Sequence, residues 1–344
     1  MLRLPRFDYR RADSVEEAVR VLAGEGAAEG RARAVAGGTD LWPNMKRRHQ
    51  RAEVVVSLMG IAGLDRIEAN GGVTLGATAK LADVAAHPAV RDRYPALARA
   101  VDSISSPPLR NMGTIGGNVC VDTRCTYYNQ TEEWRRSIDY CMKEAGTVCW
   151  VAPSSPRCWA HSASDAAPML AALGARVRLA GPDGGREVPI SALYRDDGID
   201  YLAKRPDELV TAIEVPAEAA AGRCRQAFWK LRRRGSIDFA VLSVAAAVWV
   251  DGGGTVADAR LYLGAVGSQP VEAGESARAL IGKPLGAETI AEAARLARKP
   301  ATPMDNTDFQ AQWRGAMVVH YTEAALRECA GLPAERPAPN HRIS

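Results

Sequence analysis

Long hydrophobic runs are missing from this chain. The longest, Phe239 to Val250, covers 12 residues and is interrupted by Ser243, well short of the roughly 20 that a bilayer crossing takes. No membrane-spanning helix is expected. A dominant charge is missing too. The 44 Lys and Arg stand against 40 Asp and Glu, a formal net charge of +4. That excess, with no long basic block, is too small for the electrostatic footprint of a nucleic-acid binder. The opening residues Met1 to Asp8 hold no apolar core of a signal peptide, so the expectation is a cytoplasmic protein. There is no internal repeat and no low-complexity segment.

What is present is an ordinary globular balance, 47% hydrophobic and 24% charged over 344 residues. That excludes a disordered chain or a fibre and predicts two or three domains. Ser14 or Asp13 can cap a helix whose apolar stripe is Val15, Ala18, Val19, Val21 and Leu22. Strands are expected over 33–36, 54–58, 72–77, 175–180 and 187–190, with helices from Thr78 to Ala86, Tyr94 to Ser105 and Asp165 to Leu173. The last third reads as a separate block. It has strands at 228–231, 241–250 and 259–266, then helices over 287–298 and 309–329. The residues from Gly331 read as a frayed tail.

Two glycine loops interrupt this pattern, Gly37-Gly38-Thr39 and Gly116-Gly117-Asn118. Glycine lacks the Cβ that blocks close approach, so such loops can present backbone N–H groups to an anion. Neither has the spacing of a dinucleotide fingerprint or a P-loop, which disfavours a nicotinamide Rossmann domain and an NTPase. Each alone is also compatible with a plain turn. Two of them about eighty residues apart, in adjacent α/β units, suggest one shared diphosphate site.

Of seven cysteines, Cys120, Cys125, Cys141, Cys149 and Cys158 fall within 39 residues. In a reducing compartment clustered thiols bind metal more often than they pair. Cys125, Cys141, Cys149 and Cys158 are separated by 15, 7 and 8 residues, which fits neither a zinc knuckle nor a ferredoxin run. Spacing alone leaves zinc, an iron–sulfur cluster and unliganded thiols open. The segment also holds Tyr127, Tyr128, Trp134, Tyr140, Trp150 and Trp159, six of the 20 aromatic residues. They suit a water-excluding shell around a cluster, or a small satellite core.

Ala34-Val35-Ala36-Gly37-Gly38-Thr39-Asp40-Leu41 with Met45-Lys46, then Gly113-Thr114-Ile115-Gly116-Gly117-Asn118, then Ser164-Asp165, resemble the FAD-contact motifs of the molybdenum hydroxylase flavoprotein subunits. This is the group of the carbon monoxide dehydrogenase medium subunit and the xanthine dehydrogenase FAD domain. The resemblance covers nearly the whole chain. It implies an α+β protein with a two-subdomain FAD-binding fold of the PCMH/vanillyl-alcohol-oxidase type. The expected limits are 1–58 and 59–218, then a CO dehydrogenase flavoprotein C-terminal-like α+β domain over 222–330, with 331–344 as tail. Asn118 and Asp165 stand 47 residues apart, and the insertion at 119–160 is similar to that of the beta subunits of 4-hydroxybenzoyl-CoA reductases, which holds a [4Fe–4S] cluster.

The resemblance places Cys125, Cys141, Cys149 and Cys158 as cluster ligands and leaves Cys120 as a packed thiol. Ala34 to Leu41 and Thr114 to Asn118 would wrap FAD, Ile104 would be an apolar flavin contact, Asp165 would accept from the cofactor, and Lys230 would lie near the flavin. No catalytic acid or base is expected. The implied role is electron transfer beside a molybdenum-cofactor large subunit and a [2Fe–2S] small subunit, in a dimer of heterotrimers fed by a donor such as ferredoxin. The implied overall reaction is dehydroxylation of 4-hydroxybenzoyl-CoA in anaerobic aromatic degradation. The rivals are a subunit of another molybdenum hydroxylase and a zinc-stapled nucleotide-binding module without redox activity. A stand-alone flavin oxidase is disfavoured, because His49, His87, His161, His320 and His341 sit in neither glycine loop.

Overall fold

The computed structural model describes residues 2–335, so Met1 and most of the expected tail, His341 included, lie outside the described residues. The first sheet is parallel, with β1 (Asp8–Arg11) and β2 (Ala32–Val35) flanking β3 (Val54–Ser57). Parallel neighbours need crossovers, and two helices, Val15–Gly24 and Leu41–Lys46, supply them. Ser14 caps the first, its hydroxyl accepting from the Glu17 N–H at 3.1 Å, and Ala18, Val19 and Leu22 are buried.

The second sheet is antiparallel. β4 (Ile67–Glu68), β5 (Val73–Gly76), β6 (Arg176–Gly181), β7 (Gly184–Pro189) and β8 (Leu209–Val215) lie in the order β4-β5-β8-β6-β7. The chain leaves this sheet after β5 and returns at β6. Between them lie both the second glycine loop and the cysteine segment. The helix after β5 is Leu81–Ala86 with Lys80 at its N-cap, so Thr78 is not the cap that the sequence suggests. Thr78 is buried instead.

The third sheet, β9 (Arg225–Leu231), β10 (Leu242–Val250), β11 (Val256–Gly264) and β12 (Val271–Glu272), is antiparallel in the order β12-β11-β10-β9. Along β10, Ala245 and Ala247 join the core shared by the first two sheets. Val244, Ala246 and Val248 join a second core under the helices Ala287–Ala297 and Ala311–Ala330. Side chains alternate between faces along a strand. A strand covered on both faces therefore reads as the continuous apolar run seen in the sequence. The last helix stops at Gly331, whose φ of 73° is the left-handed cap that glycine tolerates. No helix among the described residues is long and apolar enough to cross a membrane.

The cysteine segment is pinned on two sides. Arg135, almost fully buried, donates to the Arg47 carbonyl at 2.7 Å and pairs with Glu132 and Glu144. Tyr128 donates to the His49 carbonyl at 2.6 Å. On the other side Asn306 accepts from the Thr126 N–H through its carbonyl at 2.8 Å and donates to the Trp159 carbonyl at 2.6 Å. The buried Arg314 is hydrogen-bonded to Asn306 and to the Val241 and Met304 carbonyls.

The first two lobes meet backbone to backbone. A Cβ on Gly37 would stand 1.8 Å from the Met112 carbonyl oxygen, whereas a Cβ on Gly24 would meet nothing within 4 Å. Gly37→Ala should therefore cost about 1–3 kcal/mol in urea unfolding of the flavin-free protein, and Gly24→Ala should cost nothing. Equal midpoints for the two variants would contradict this account of the lobe contact.

Candidate functional site

Between the lobes lies a cleft of about 550 Å³. One wall is Ala34 to Leu41, the end of β2 with the first glycine loop. Gly38 turns the chain with φ 70°, and a Cβ there would collide with the Trp42 indole. The facing wall carries Thr78, Leu81, Ile104, Gly113, Thr114, Gly116, Gly117 and Asn118. The two glycine loops, far apart in sequence, thus line one cavity.

The second loop is not a plain turn. It opens a five-residue helix, Ile115–Val119, capped by Thr114, whose hydroxyl accepts from the Gly117 N–H at 3.1 Å. Its glycines differ in role. A Cβ on Gly116 would meet the Ala77 carbonyl oxygen at 2.6 Å, so that glycine serves packing against the residue after β5. A Cβ on Gly117 would meet only the Thr114 hydroxyl, at 3.0 Å. Ile115 is fully buried and faces the core instead of the cleft. Asn118 is oriented from the far side of the cysteine segment: its Oδ1 accepts from the Ser164 hydroxyl at 2.9 Å and the Ala166 N–H at 3.2 Å.

Asp165 and Lys230 are not on the cleft wall. They form a buried pair at 2.7 Å behind it, with side chains 3% and 4% exposed. Burial pushes the Asp165 carboxyl up, and the Lys230 ammonium opposes this. The second Asp165 oxygen, Oδ1, has no hydrogen-bond partner among the described residues. Lys230 also donates to the Ser103 carbonyl at 3.1 Å, and Arg232 donates to the same oxygen at 3.0 Å. Arg110 holds the Ile104 carbonyl at 2.9 Å, while Ile237 N–H holds the Ser105 carbonyl at 2.8 Å. Three successive carbonyls are thereby fixed around Ile104, with Ser105 at φ 49°. Lys230 thus touches this loop directly, and Asp165 reaches it only through Lys230.

Sequence reasoning missed Asp122, Tyr201, Lys204 and Phe239, all of which line the cleft. They come from three distant segments with no shared pattern, so only the tertiary contacts could reveal them. Cys120, expected as a packed thiol, is half-buried against the core and also lines the cleft.

Cys125, Cys141, Cys149 and Cys158 are all buried. Cys125, Cys141 and Cys158 share one small apolar cluster with Tyr128 and Ala160. Burial pushes the Cys125 thiol up to about 11 and the Cys158 thiol up to about 12, and it raises Cys141 as well. Cys149 is close enough that a thiolate there raises each of these three further. The Ala160 N–H donates to the Cys158 sulfur at 3.4 Å, and the backbone N–H groups of Tyr127 and Tyr128 near Cys125 and of Lys143 near Cys141 offset part of the rise. The four cysteines expected as cluster ligands do not close around a common point. Among the described residues, no three His, Cys, Asp or Glu stand where they could hold a metal ion. The polypeptide collects the thiols, but metal–sulfur bonds are what close a coordination shell.

The buried Asp165–Lys230 pair makes a stability prediction. Lys230→Met strands a buried carboxylate and should cost about 3–5 kcal/mol in urea unfolding. Lys230→Met combined with Asp165→Asn should recover part of that loss. A single variant as stable as the parent would show that the pair is not needed.

Comparisons with known proteins agree with this architecture. The model of the FAD binding domain in molybdopterin dehydrogenase matches residues 5–218, and that of the CO dehydrogenase flavoprotein C-terminal domain matches residues 226–329. The aldehyde oxidoreductase FAD-binding subunit PaoB of Escherichia coli is 33% identical over 256 residues, covering 70% of this chain and 76% of its own. The carbon monoxide dehydrogenase medium chain of Hydrogenophaga pseudoflava is 28% identical over 331 residues, covering 95% of this chain and 99% of its own. A solved structure of carbon monoxide dehydrogenase from that organism superposes with a TM-score of 0.78 at 27% identity, over 96% of this chain and 99% of the other. With the cleft, its two glycine loops and the C-terminal domain all in place, the chain belongs to the FAD-binding flavoprotein family of the molybdopterin dehydrogenases.

Proposed function

We propose that this oxidoreductase subunit carries a [4Fe–4S] cluster besides FAD and passes electrons between them, as the flavoprotein of a 4-hydroxybenzoyl-CoA reductase. The observation that carries this reading is the collection of four buried cysteines in one aromatic-rich segment inserted beside the FAD cleft. The donor chemistry fits such a group. The desolvated thiols hold their protons unless a cationic centre displaces them, since a coordinating thiol is deprotonated. Backbone N–H bonds to the sulfurs and a buried setting are the protein's means of tuning a cluster's potential. A bound cluster supplies one-electron transfer, and FAD exchanges one or two electrons, so it can link such a carrier to a two-electron reaction.

The chain's own residues do the positioning. Ala34 to Leu41 bind FAD from one wall and Thr114, Gly116, Gly117 and Asn118 from the other, with Gly117 giving the diphosphate close backbone approach. Ile104 packs on the flavin, held by the fixed carbonyls around it, and Lys230 with Asp165 sets that loop from behind. Cys125, Cys141, Cys149 and Cys158 hold the cluster. In this reading the substrate is transformed on a molybdenum-cofactor large subunit. A [2Fe–2S] small subunit completes the heterotrimer, which pairs into a dimer and draws electrons from a donor such as ferredoxin. A second reading, the flavoprotein of a hydroxylase for another substrate, is favoured by the range of the relatives. These include a glyceraldehyde dehydrogenase medium chain from Sulfolobus acidocaldarius, 26% identical over 327 residues, and a putative xanthine dehydrogenase FAD-binding subunit from Escherichia coli, 22% identical over 322.

Anaerobic purification with iron, acid-labile sulfide and flavin counted per chain tests the cluster. About four irons, about four sulfides and one FAD are expected. Cys141→Ser should lose iron while keeping FAD; unchanged iron would refute the ligand assignment. Gly117→Val should weaken FAD binding in a protein that stays folded, because its Cβ needs only a small shift of the Thr114 hydroxyl but stands on the cleft wall. Full flavin occupancy in that variant would remove the second glycine loop from the site. Turnover of 4-hydroxybenzoyl-CoA by the assembled complex separates the two substrate readings.

A further inference from the structure

Arg124 precedes the first cysteine of the proposed cluster, and nothing in the FAD motifs assigns it a role. Its side chain is 10% exposed and makes three kinds of contact. The guanidinium pairs with Asp40 of the first glycine loop. It lies under the ring of Phe239, 4.7 Å from the centroid. It also donates to the Asp122 carbonyl at 3.1 Å. Asp40, Phe239 and Asp122 all line the cleft, yet they belong to the first lobe, the C-terminal domain and the cysteine segment.

We infer that Arg124 is a positioning residue for the flavin: one guanidinium sets the side chains of Asp40 and Phe239 and the backbone of Asp122, cleft-lining residues that come from three separate parts of the chain. The assignment rests on the FAD reading of this cleft.

The surrounding bonds make the guanidinium a fixed point. The Arg124 backbone is locked to His161 by two hydrogen bonds, N–H to carbonyl at 2.9 Å and the reverse at 2.8 Å. That bridge joins the two ends of the cysteine segment. Asp40 is held a second time by the Asn44 amide at 2.9 Å. Asp122 is held by Lys143 at 2.8 Å and by Gln50 at 3.1 Å. Phe239 has no such second anchor: it is 41% exposed, on a loop where Ile237 has φ 73° and is 57% exposed. A planar guanidinium can pair with a carboxylate at its edge and stack on an aromatic face, which an ammonium cannot do at once. Burial raises the Asp40 carboxyl and the Arg124 charge works against that, so the carboxylate on the cleft wall depends on its partner.

FAD titrated into flavin-stripped full-length protein, followed by flavin fluorescence and by visible circular dichroism of the bound flavin, tests the role. Arg124→Gln should raise the FAD dissociation constant about tenfold or more and alter the flavin dichroism. Arg124→Lys, which keeps the charge but loses the planar stack, should recover part of the affinity. Phe239→Leu leaves the ion pair intact, so it remains informative if Arg124→Gln fails to fold; it should weaken FAD binding less and change the dichroism. Wild-type affinity and dichroism in the folded Arg124 variant, or in Phe239→Leu when the former is unfolded, would overturn the inference while leaving the FAD reading standing. A wild-type protein that takes up no FAD would overturn both.

Discussion

The structure turns on a contact with no room for a side chain. Gly37 lies against the Met112 carbonyl, and Gly116 lies against Ala77, each closer than any Cβ permits. The first contact joins the lobes; the second seats the short helix Ile115–Val119 on the end of β5. Together they place two glycine-bearing walls around a cleft that neither lobe makes alone. Close backbone packing also explains why the glycines of each pair are not equivalent. Gly116 is consumed by the fold and Gly117 is left on the cleft wall, whereas Gly37 serves the lobe contact and Gly38 a left-handed turn against Trp42.

Charge placement follows the same economy. Around the cleft the ions come as pairs, two fully buried, Asp165 with Lys230 and Asp122 with Lys143, and one with a half-buried carboxylate, Arg124 with Asp40. Such pairs add little net stability, but each is costly to break by removing one partner. Their position gives them meaning. Lys230 reaches Ser103, beside Ile104. Lys143 reaches from the cysteine segment to the Gly198 carbonyl at 2.6 Å as well as to Asp122. The cysteine segment is therefore part of the cleft's framework and not a loop appended to it.

Much of the fold was legible because local rules and tertiary packing agree. The helix Val15–Gly24 has a cap, an acidic first turn and an apolar stripe, all readable in order. β10 announces itself by an unbroken apolar run. β1 was missed because its four residues, Asp8–Arg11, are all exposed and show no alternation. β8 was missed although Leu209–Val215 is apolar, because its partners β5 and β6 are distant in sequence and no hairpin turn flags it. Thr78 looked like a helix cap on local chemistry, but its place at the cleft wall prevailed.

By itself the sequence determined the chemistry on offer: two glycine loops, a clustered set of thiols, and the motif order that identifies a flavoprotein family. These are properties of residue type and spacing, which survive without coordinates. The tertiary structure decided which residues share a space. It put Ile115 in the core, set Lys230 against Asp165, drew Phe239 and Tyr201 to the cleft, and gathered an aspartate, an arginine and a phenylalanine from three parts of the chain. Periodicity and spacing report only local geometry. Contacts between distant segments arise from packing the whole chain at once, and that is where the details of this site were settled.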